Sequence, residues 1–531
     1  MPVGQGISSD AYWMEFELSD EDIDFIYNLL LEREVPLTSE QMSRELVERR
    51  LEKLKEEAKK ASASEYKSYL PEAHYEKGET LIFPAIGNLV GKVTKVRPGV
   101  NPDIGEFEVI AVKFEKGEKP REFAAALQDH ILNNPSGEDD ELDALSTTDG
   151  VLTTYRRVIE DRLEGKLKDA EDIIRIAGRW FHKALVVNIN EGHLNIAEAV
   201  LDVANGGPLP TSDLLEHVGV PEDIDPLLME FSMDFALQED ERFDEVGPAG
   251  EILWYLKRLE PPEVLYTPPR LEYEESSIDR SKLTDALLDL EASLDDELSP
   301  LPSSDSTPDE VIITLLFPHW RVGTLPLSIR LRPMFPTAYE APRIRFTLID
   351  GNNGDRFPGW VVREKGYVFG LDEWYRRYDV PAGGLIKVRR GDKPGEIKVE
   401  TLDRKRHNDW IRTVTIDEEG TIGFTMLKQS VGTAYDDLMV VGLIDPSALD
   451  EAWMRGTQRN LPKDQLIAYI FRELARLNPQ SAVHAQSLYS GVNVFRRMSP
   501  AAVFQELVSH NYYEHVGDLY WRFDPQAWTK A

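Results

Sequence analysis

The sequence predicts a multidomain α+β protein, and three observations support this fold class. A chain of 531 residues corresponds to about three to five domains at ~100–200 residues per domain. Its 41% hydrophobic and 29% charged residues are typical of globular proteins. Helical and strand-like patterns alternate along the chain, and one pattern in which a helix leads into a β-hairpin occurs twice.

The repeated pattern joins an amphipathic helical run to alternating apolar and polar residues around a Gly turn, which indicates a hairpin. The first copy contains Leu237, Phe243, Asp244, Val246 and Gly247, and the second has Leu507, Tyr513, Glu514, Val516 and Gly517 at the same spacing. A strand with a tryptophan, Trp254 or Trp521, follows each copy. A helical domain that ends in such a hairpin is a winged helix. We therefore predict winged helices at 194–258, which ends a helical region at 151–260, and at 457–531.

The first copy resembles the winged-helix domain of the RNA polymerase delta subunit and its relatives. Asp240, Arg242, Phe243 and Trp254 match the family pattern of an acidic residue, then Arg-Phe, then a tryptophan strand. The resemblance implies a partner in the transcription machinery, RNA polymerase or another transcription protein. The predicted third helix, 226–238, contains acidic residues and no Lys or Arg. We therefore expect this copy to bind protein and not phosphate.

Two β-rich regions accompany these helical domains. Four short strand patterns at 80–126 predict a small closed β-barrel at 73–132, since closure removes exposed edges. This region resembles the Tudor and KOW-type barrels. Seven strand patterns and a short helix at 371–378 predict a larger β-pseudobarrel at 310–456 with a mixed tail. Trp360, the block 367–374 and the Pro-Ala-Gly-Gly run at 381–384 resemble the DNA-binding domain of plant auxin-response-type regulators, which implies DNA contact.

The remaining segments are predicted as helices and linkers. Residues 1–72 read as an N-terminal helical segment, in which 19–61 lacks a wing, and Thr38 with Gln41 forms a capping signal. An acidic linker is expected at 133–150 and a Pro-rich, acidic linker at 261–309. Between them, 151–204 reads as helical, with the apolar residues of 173–181 as one helix face.

The net charge of −35 opposes contact with nucleic acid, so any DNA-binding surface must be a local basic face. Such a face is predicted at 385–412, where nine Lys and Arg stand against five acids. We predict the following DNA-binding residues: Arg376, Arg377, Lys387, Arg389, Arg390, Lys393, Lys398, Arg404, Lys405, Arg406, Arg496 and Arg497.

The sequence favours binding over catalysis. It has no Cys and no paired His, which excludes thiolate chemistry and the common zinc motifs, and no cofactor motif occurs. We expect no membrane span and no secretory signal, and hence a cytoplasmic protein. The first hypothesis is a non-enzymatic, transcription- or nucleoid-associated DNA-binding protein. The alternatives are an acidic scaffold that binds RNA polymerase or another protein without DNA, and a metal-dependent nuclease built on Asp355, Glu396 and Lys398.

Overall fold

The computed structural model describes residues 10–62, 67–83, 86, 89–100, 107–114, 120–128, 130, 133, 147–219, 221, 223–274, 277–302, 308–393, 395–402 and 407–528. The chain divides into two compact units. Unit 1 comprises residues 1–187 and 225–231, and unit 2 comprises residues 188–224 and 232–531. The chain is therefore a multidomain α+β protein with several separate sheets. No helix among the described residues offers an apolar stretch long enough to cross a bilayer.

Unit 1 combines helices with two sheets. The described helices are α1 Asp10–Met14, α2 Asp20–Arg33, α3 Ser39–Ser62 and α4 Thr148–Leu167. The strands are β1 Leu37–Thr38, β2 Lys67–Ser68, β3 Thr80–Phe83, β4 Leu89–Pro98, β5 Glu108–Phe114, β6 Arg121–Ala125, β7 Ile173–Ile176 and β8 Arg179–His182. The predicted cap at the start of α3 is confirmed, because the Thr38 and Gln41 side chains each accept the other residue's backbone N–H.

The region predicted as a small barrel is a five-stranded sheet in the order β2-β3-β4-β5-β6. Alternate side chains such as Leu81, Phe83 and Val93 are buried, as the period of two along a strand requires. The Leu127 N–H donates to Pro71 O at 2.9 Å, which joins the chain after β6 to the chain after β2. The two edge strands of the sheet are thus brought close by backbone hydrogen bonds between the segments that follow them.

The helix predicted over 173–181 is wrong. This stretch is the antiparallel hairpin β7–β8, in which Ala177 and Gly178 turn the chain with φ of 50° and 75°. β8 also pairs with β1, so the sheet order is β1-β8-β7, and the N-terminal helical segment that was predicted to lack a wing has this hairpin. The five-stranded sheet is inserted between α3 and α4 of this helix–hairpin segment.

Unit 2 carries the remaining elements, with α7 crossing the boundary between the units. The helices are α5 Glu191–Val203, α6 Thr211–Val218, α7 Pro226–Glu239, α8 Pro262–Leu265, α9 Asp285–Leu294, α10 Phe317–Val322, α11 Asp372–Arg377, α12 Pro446–Arg455, α13 Lys463–Ala475, α14 Ala485–Phe495, α15 Pro500–Ser509 and α16 Pro525–Trp528. The strands are β9 Leu209–Pro210, β10 Phe243–Glu245, β11 Leu253–Leu256, β12 Glu310–Thr314, β13 Thr324–Pro326, β14 Arg343–Asp350, β15 Arg356–Val362, β16 Tyr367–Phe369, β17 Leu385–Arg390, β18 Glu396–Thr401, β19 His407–Ile416, β20 Ile422–Val431, β21 Gly442–Leu443, β22 Ala482–His484, β23 Tyr513–Gly517 and β24 Tyr520–Phe523.

The same connectivity occurs three times in the described chain. Each segment has a helix, a short strand, two further helices and a hairpin, and the short strand pairs with the last strand of the hairpin. The sheet orders are β1-β8-β7, β9-β11-β10 and β22-β24-β23. The sequence repeat at 237–247 and 507–517 therefore marks two of three helix–hairpin segments.

A buried tryptophan occupies the second position of the last strand in each segment, as Trp180, Trp254 and Trp521. The Trp180 indole N–H donates to Ser39 Oγ, and that of Trp254 donates to Thr211 Oγ1, each at 3.0 Å. Both hydroxyls belong to the first residue of the second helix. The third segment has Ala485 there, and the Trp521 indole nitrogen has no hydrogen-bond partner among the described residues.

The region predicted as a pseudobarrel contains a seven-stranded sheet that curls into a half-barrel, in the order β12-β17-β18-β14-β15-β16-β13. All of its pairs are antiparallel except β14–β18. One of the seven strand patterns predicted for this region spans 326–331, and this prediction is wrong. β13 ends at Pro326, and Leu331 has helical backbone angles before a 3-10 turn at Arg332–Met334. The hairpin β19–β20 and β21 form a separate three-stranded sheet.

The segment predicted as the linker 261–309 is packed over much of its length. Leu283, Leu287 and Leu290 belong to the same buried core as α13, α14 and α15. Asp295 and Asp296 directly after α9 are also buried. A Pro-rich, acidic composition therefore does not mark a mobile connector here. The linker predicted at 133–150 lies mostly outside the described residues.

Candidate functional site

Three cations of the predicted basic strand face have carboxylate partners. The Lys387 Nζ lies 3.2 Å from Glu400 Oε2, and Arg389 forms an ion pair with the same carboxylate. The strand register explains this arrangement, since Lys387 and Glu400 are directly opposite in the β17–β18 pair. The Lys398 Nζ lies 3.1 Å from Asp392 Oδ2. Each of these charges is thus partly neutralised by its neighbours.

The two arginines of α11 are paired in the same way. Arg376 forms an ion pair with Asp372 one turn earlier on the helix. The Arg377 Nη1 lies 2.8 Å from Asp355 Oδ2 and 3.6 Å from the buried Asp350 Oδ2. The hydrogen bond from Arg377 to Asp355 raises the pKa of Arg377, so this side chain stays charged. Both arginines of α11 therefore have carboxylate partners, and α11 does not present a cluster of unpaired positive charges.

The remaining cations of the predicted strand face are more open. Arg390 is exposed and its Nη2 donates to Pro333 O at 2.9 Å. Lys393 is also exposed and forms no ion pair with a described residue. Arg404, Lys405 and Arg406 lie outside the described residues. Among the described cations of this face, Arg390 and Lys393 are thus exposed without a carboxylate partner, and Arg412, which also has none, is buried.

The two arginines before α15 were expected at the surface, and the structure corrects that expectation. Arg497 is 3% exposed, and its Nη2 lies 2.6 Å from Asp296 Oδ1 and 2.8 Å from Glu297 Oε1. Burial lowers the pKa of Arg496, whose Nη1 donates to Leu461 O at 3.3 Å. Two carboxylates thus already occupy the Arg497 guanidinium, and its burial closes it to a phosphate. The sequence could not indicate this ion pair, because the partner carboxylate of Glu297 lies 200 residues earlier in the chain.

A buried polar network surrounds Arg497. Glu297 Oε1 is 2.9 Å from His319 Nε2, and the Tyr489 hydroxyl donates to Asp296. Burial raises the pKa of Asp296 in spite of its ion pair. For Glu297 burial opposes ionisation, but Arg497 and His319 outweigh it and lower the pKa. The network joins the segment after α9 to α10 and α14, so its position indicates a role in holding unit 2 together.

The three residues of the nuclease hypothesis have different partners. Glu396 is 6% exposed and Arg356 Nη1 lies 2.7 Å from its Oε1. Asp355 pairs with Arg377, as described above. Within the described residues, no group of three or more His, Cys, Asp or Glu side chains is arranged to hold a metal ion.

One cavity of unit 2 has a volume of about 1110 Å³. Four helices, α8, α10, α11 and α12, and the Pro-rich chain at 266–270 supply its lining. Trp320, Trp453 and Tyr375 form apolar walls, while Tyr266 and Met454 are 74% and 69% exposed at its edge. Exposed large apolar side chains around a concave surface are typical of a binding site. We call this the helix cavity.

A charged group crosses one wall of the helix cavity. Arg270 is buried, and its Nη2 lies 2.6 Å from Asp450 Oδ1, while Arg321 forms an ion pair with the other carboxylate oxygen. The Arg270 guanidinium also lies 4.5 Å from the ring centroid of Trp453. Burial lowers the pKa of Arg270, and Asp450 partly compensates. The Asp450 carboxylate thus holds both Arg270 and Arg321 in place. This wall of the helix cavity is polar, while the neighbouring walls are apolar.

Sequence reasoning missed the helix cavity. Its residues come from four regions of the chain, at 262–270, 320–322, 369–380 and 446–454. The single signal in the sequence was the pair of proline doublets at 261–262 and 268–269, which was interpreted as linker composition.

Comparison with known proteins does not assign this site. A scan against protein-family models, a search of curated proteins and a search of solved structures each returned no match.

Proposed function

We propose that this chain is a non-enzymatic scaffold that binds a protein partner through the helix cavity, and that the partner is RNA polymerase or another basic protein. One observation carries the proposal: the helix cavity, with its volume of about 1110 Å³, combines apolar walls with exposed Tyr266 and Met454. A volume of about 1110 Å³ is enough for several side chains of a docked segment. The helix cavity is therefore the site at which we expect the partner to dock.

Charge supports a basic partner. The chain has a net charge of −35, which attracts cations over long range and repels nucleic acid. The lining of the helix cavity contains four acidic residues and three arginines. Several cations predicted to meet phosphate already contact carboxylates, namely Arg376, Arg377, Lys387, Arg389 and Lys398. Contact with DNA would have to separate these pairs or compete with them.

The helix–hairpin segments support a link to transcription. We propose that all three are winged-helix domains and that the first carries the five-stranded sheet as an insertion. The shared strand order and the tryptophan in each last strand support this assignment. The resemblance of 194–258 to the RNA polymerase delta subunit rests on Asp240, Arg242, Phe243 and Trp254. Arg242 is held by Asp240 at 2.7 Å and by Glu198 at 2.8 Å, so it has a structural role in this domain.

A second candidate function is DNA binding by the pseudobarrel, and a specific observation favours it. Arg390 and Lys393 are exposed at the end of β17 and form no ion pair with described residues. Arg404, Lys405 and Arg406 follow β18 in the sequence and add three positive charges to this part of the chain. Mobility shift of a short duplex by the full chain at two salt concentrations tests this function. Affinity that falls steeply with salt supports phosphate contact, and a flat response contradicts it.

Capture experiments with the full chain test the scaffold proposal. The variant Met454→Glu places a charge at the edge of the helix cavity, and Val203→Glu is the matched control because Val203 is 87% exposed and does not line that cavity. We expect a partner to be retained after nuclease digestion by the wild type and by Val203→Glu, and to be lost by Met454→Glu. Equal retention by both variants would contradict docking in the helix cavity.

A further inference from the structure

A second concave surface lies between the β19–β20 hairpin and the last helix–hairpin segment of unit 2. Its volume is about 340 Å³, and its lining includes Trp410, Arg412, Met426, Leu438, His484 and Tyr520. We call it the hairpin groove. It lies in different elements from the helix cavity and shares no lining residue with it. A space of this size fits one or two amino-acid side chains.

Arg412 is the unusual residue of the hairpin groove. It is 9% exposed, and its Nη2 donates to Leu438 O at 3.0 Å and to Val440 O at 3.2 Å. Its Nε is buried without an acceptor, and the guanidinium forms no ion pair with a described residue. Burial lowers the pKa of Arg412 to about 10, and the more distant Asp436 opposes this. A buried cation without a counter-ion is costly and is uncommon in folded proteins.

The surroundings of Arg412 are fixed by hydrogen bonds. Ser487 Oγ donates to Leu438 O at 3.0 Å, and Gln486 Nε2 donates to Asp436 Oδ2 at 3.0 Å. The Asp436 carboxylate also accepts the backbone N–H groups of 438 and 439. The Asp436 carboxylate is therefore hydrogen-bonded to Gln486 and to the backbone at 438 and 439, and it forms no ion pair with Arg412. The groove is held in its shape without a carboxylate against the guanidinium.

Apolar side chains lie beside this cation on the same face of the hairpin. Arg412 faces Met426 across the β19–β20 pair, and Trp410 lies two residues away from Arg412 on β19. Trp410 is 63% exposed and Met426 is 38% exposed. Lys428, opposite Trp410, is exposed and forms no ion pair with a described residue. Asp437 is the one acid in the groove lining.

We infer that the hairpin groove binds a carboxylate group that a partner peptide presents next to an aromatic or aliphatic side chain. The carboxylate supplies the missing counter-ion of Arg412, and the apolar side chain packs on Trp410 and Met426. A chain terminus and an acidic side chain carry the same chemistry. This site is independent of the helix cavity, so either proposal can fail while the other stands.

The test is a ligand-observed NMR titration of the full chain with three small probes. N-acetyl-phenylalanine carries a terminal carboxylate, N-acetyl-phenylalaninamide carries none, and N-acetyl-aspartyl-phenylalaninamide carries a side-chain carboxylate. We expect at least one acidic probe to bind about tenfold or more tightly than the neutral amide, since charge-assisted hydrogen bonds are the strong ones. The stronger of the two acidic probes identifies the source of the carboxylate. Equal binding of all three probes, or no binding, would overturn the inference.

Variants assign the binding to named side chains. Arg412→Gln should remove the preference for the acidic probes, and Trp410→Ala should weaken all three because the aromatic contact is lost. Arg455→Gln is the control, since Arg455 is an exposed arginine outside the groove lining. Trp410 is largely exposed, so its variant keeps the test decisive if Arg412→Gln does not fold. Unchanged binding to Trp410→Ala, or an unchanged acid preference in folded Arg412→Gln, would contradict the site.

Discussion

Arg497 and Arg376 were both predicted to contact DNA, and the structure gives them different energetic roles. Arg497 is 3% exposed and contacts Asp296 and Glu297, while the Arg376 side chain is 72% exposed and pairs with Asp372. Removing one partner of a buried ion pair leaves a charge without compensation and costs about 3–5 kcal/mol. An exposed pair on a helix contributes about 0.3–0.5 kcal/mol. We therefore predict a strong loss of stability for Arg497→Ala and almost none for Arg376→Ala.

The expected shift in unfolding temperature follows from the size of unit 2. Unit 2 has about 340 residues, and an unfolding entropy of about 2.1 cal/mol/K per residue gives about 0.7 kcal/mol per degree. A loss of about 3–5 kcal/mol thus lowers the transition of unit 2 by about 4–7 °C, treated as one cooperative unit. Arg376→Ala should shift it by less than about 1 °C.

Differential scanning calorimetry of the full chain measures both shifts. Arg497→Lys is a useful intermediate variant, because it keeps the charge but loses the planar guanidinium that contacts two carboxylates and the Met498 carbonyl. Its transition should lie between those of the wild type and Arg497→Ala. Equal transitions for Arg497→Ala and Arg376→Ala would refute the assignment of Arg497 to a structural network.

Three further predictions concern the tryptophan contacts and one buried acid. Thr211→Ala should lower stability by about 0.5–1.5 kcal/mol in urea unfolding, because the Trp254 indole loses the Thr211 hydroxyl but keeps Asp234 as an acceptor at 2.9 Å. Ala485→Ser should raise it by about 1 kcal/mol by giving the Trp521 indole an acceptor; an unchanged midpoint would argue against this contact. Burial and the neighbouring Asp244 raise the pKa of Glu260 from 4.5 to about 9, so the folded chain binds this proton more tightly than the unfolded chain. Stability should therefore fall as pH rises from about 4.5 to about 9, and Glu260→Gln should flatten that dependence in pH-dependent melting.

Local patterns predicted most helices and strands of this chain. Ser499 caps α15 with Pro500 in its first turn, and the apolar residues from 466 to 474 lie in α13. These elements are specified by residues a few positions apart. The prediction failed at the hairpin β7–β8. Two short, apolar strands around a turn can place their apolar residues at the spacing of one helix face.

Long-range pairing could not be predicted in this way. The partner of β8 is β1, which lies about 140 residues earlier, and an inserted sheet separates the two. The first helix–hairpin segment was therefore interpreted as a helical element without a wing. The tryptophan in the second position of β8 was a signal in the sequence, since Trp180 matches Trp254 and Trp521, but its spacing from the second helix differs.

The predicted DNA-binding site was based on the positions of Lys and Arg residues. The partners of these residues in the folded chain were the least predictable feature. The sequence predicts where cations occur, but not whether a carboxylate lies against them. Lys387 and Glu400 are opposite because of the strand register, and Arg497 meets Asp296 because the segment after α9 folds onto α14 and α15. Arg412 shows the reverse case. It was counted among a set of surface cations, and it is buried without an ion partner.

The central claim is that the helix cavity, and not the cations of the sheet, binds the partner. The most direct measurement is capture of a partner by the full chain after nuclease digestion, with the variants Met454→Glu and Lys393→Glu compared side by side. We predict that Lys393→Glu retains the partner and that Met454→Glu loses it. Loss of the partner from the wild type on nuclease digestion would contradict the claim and favour contact with DNA. So would a result in which Lys393→Glu loses the partner and Met454→Glu retains it.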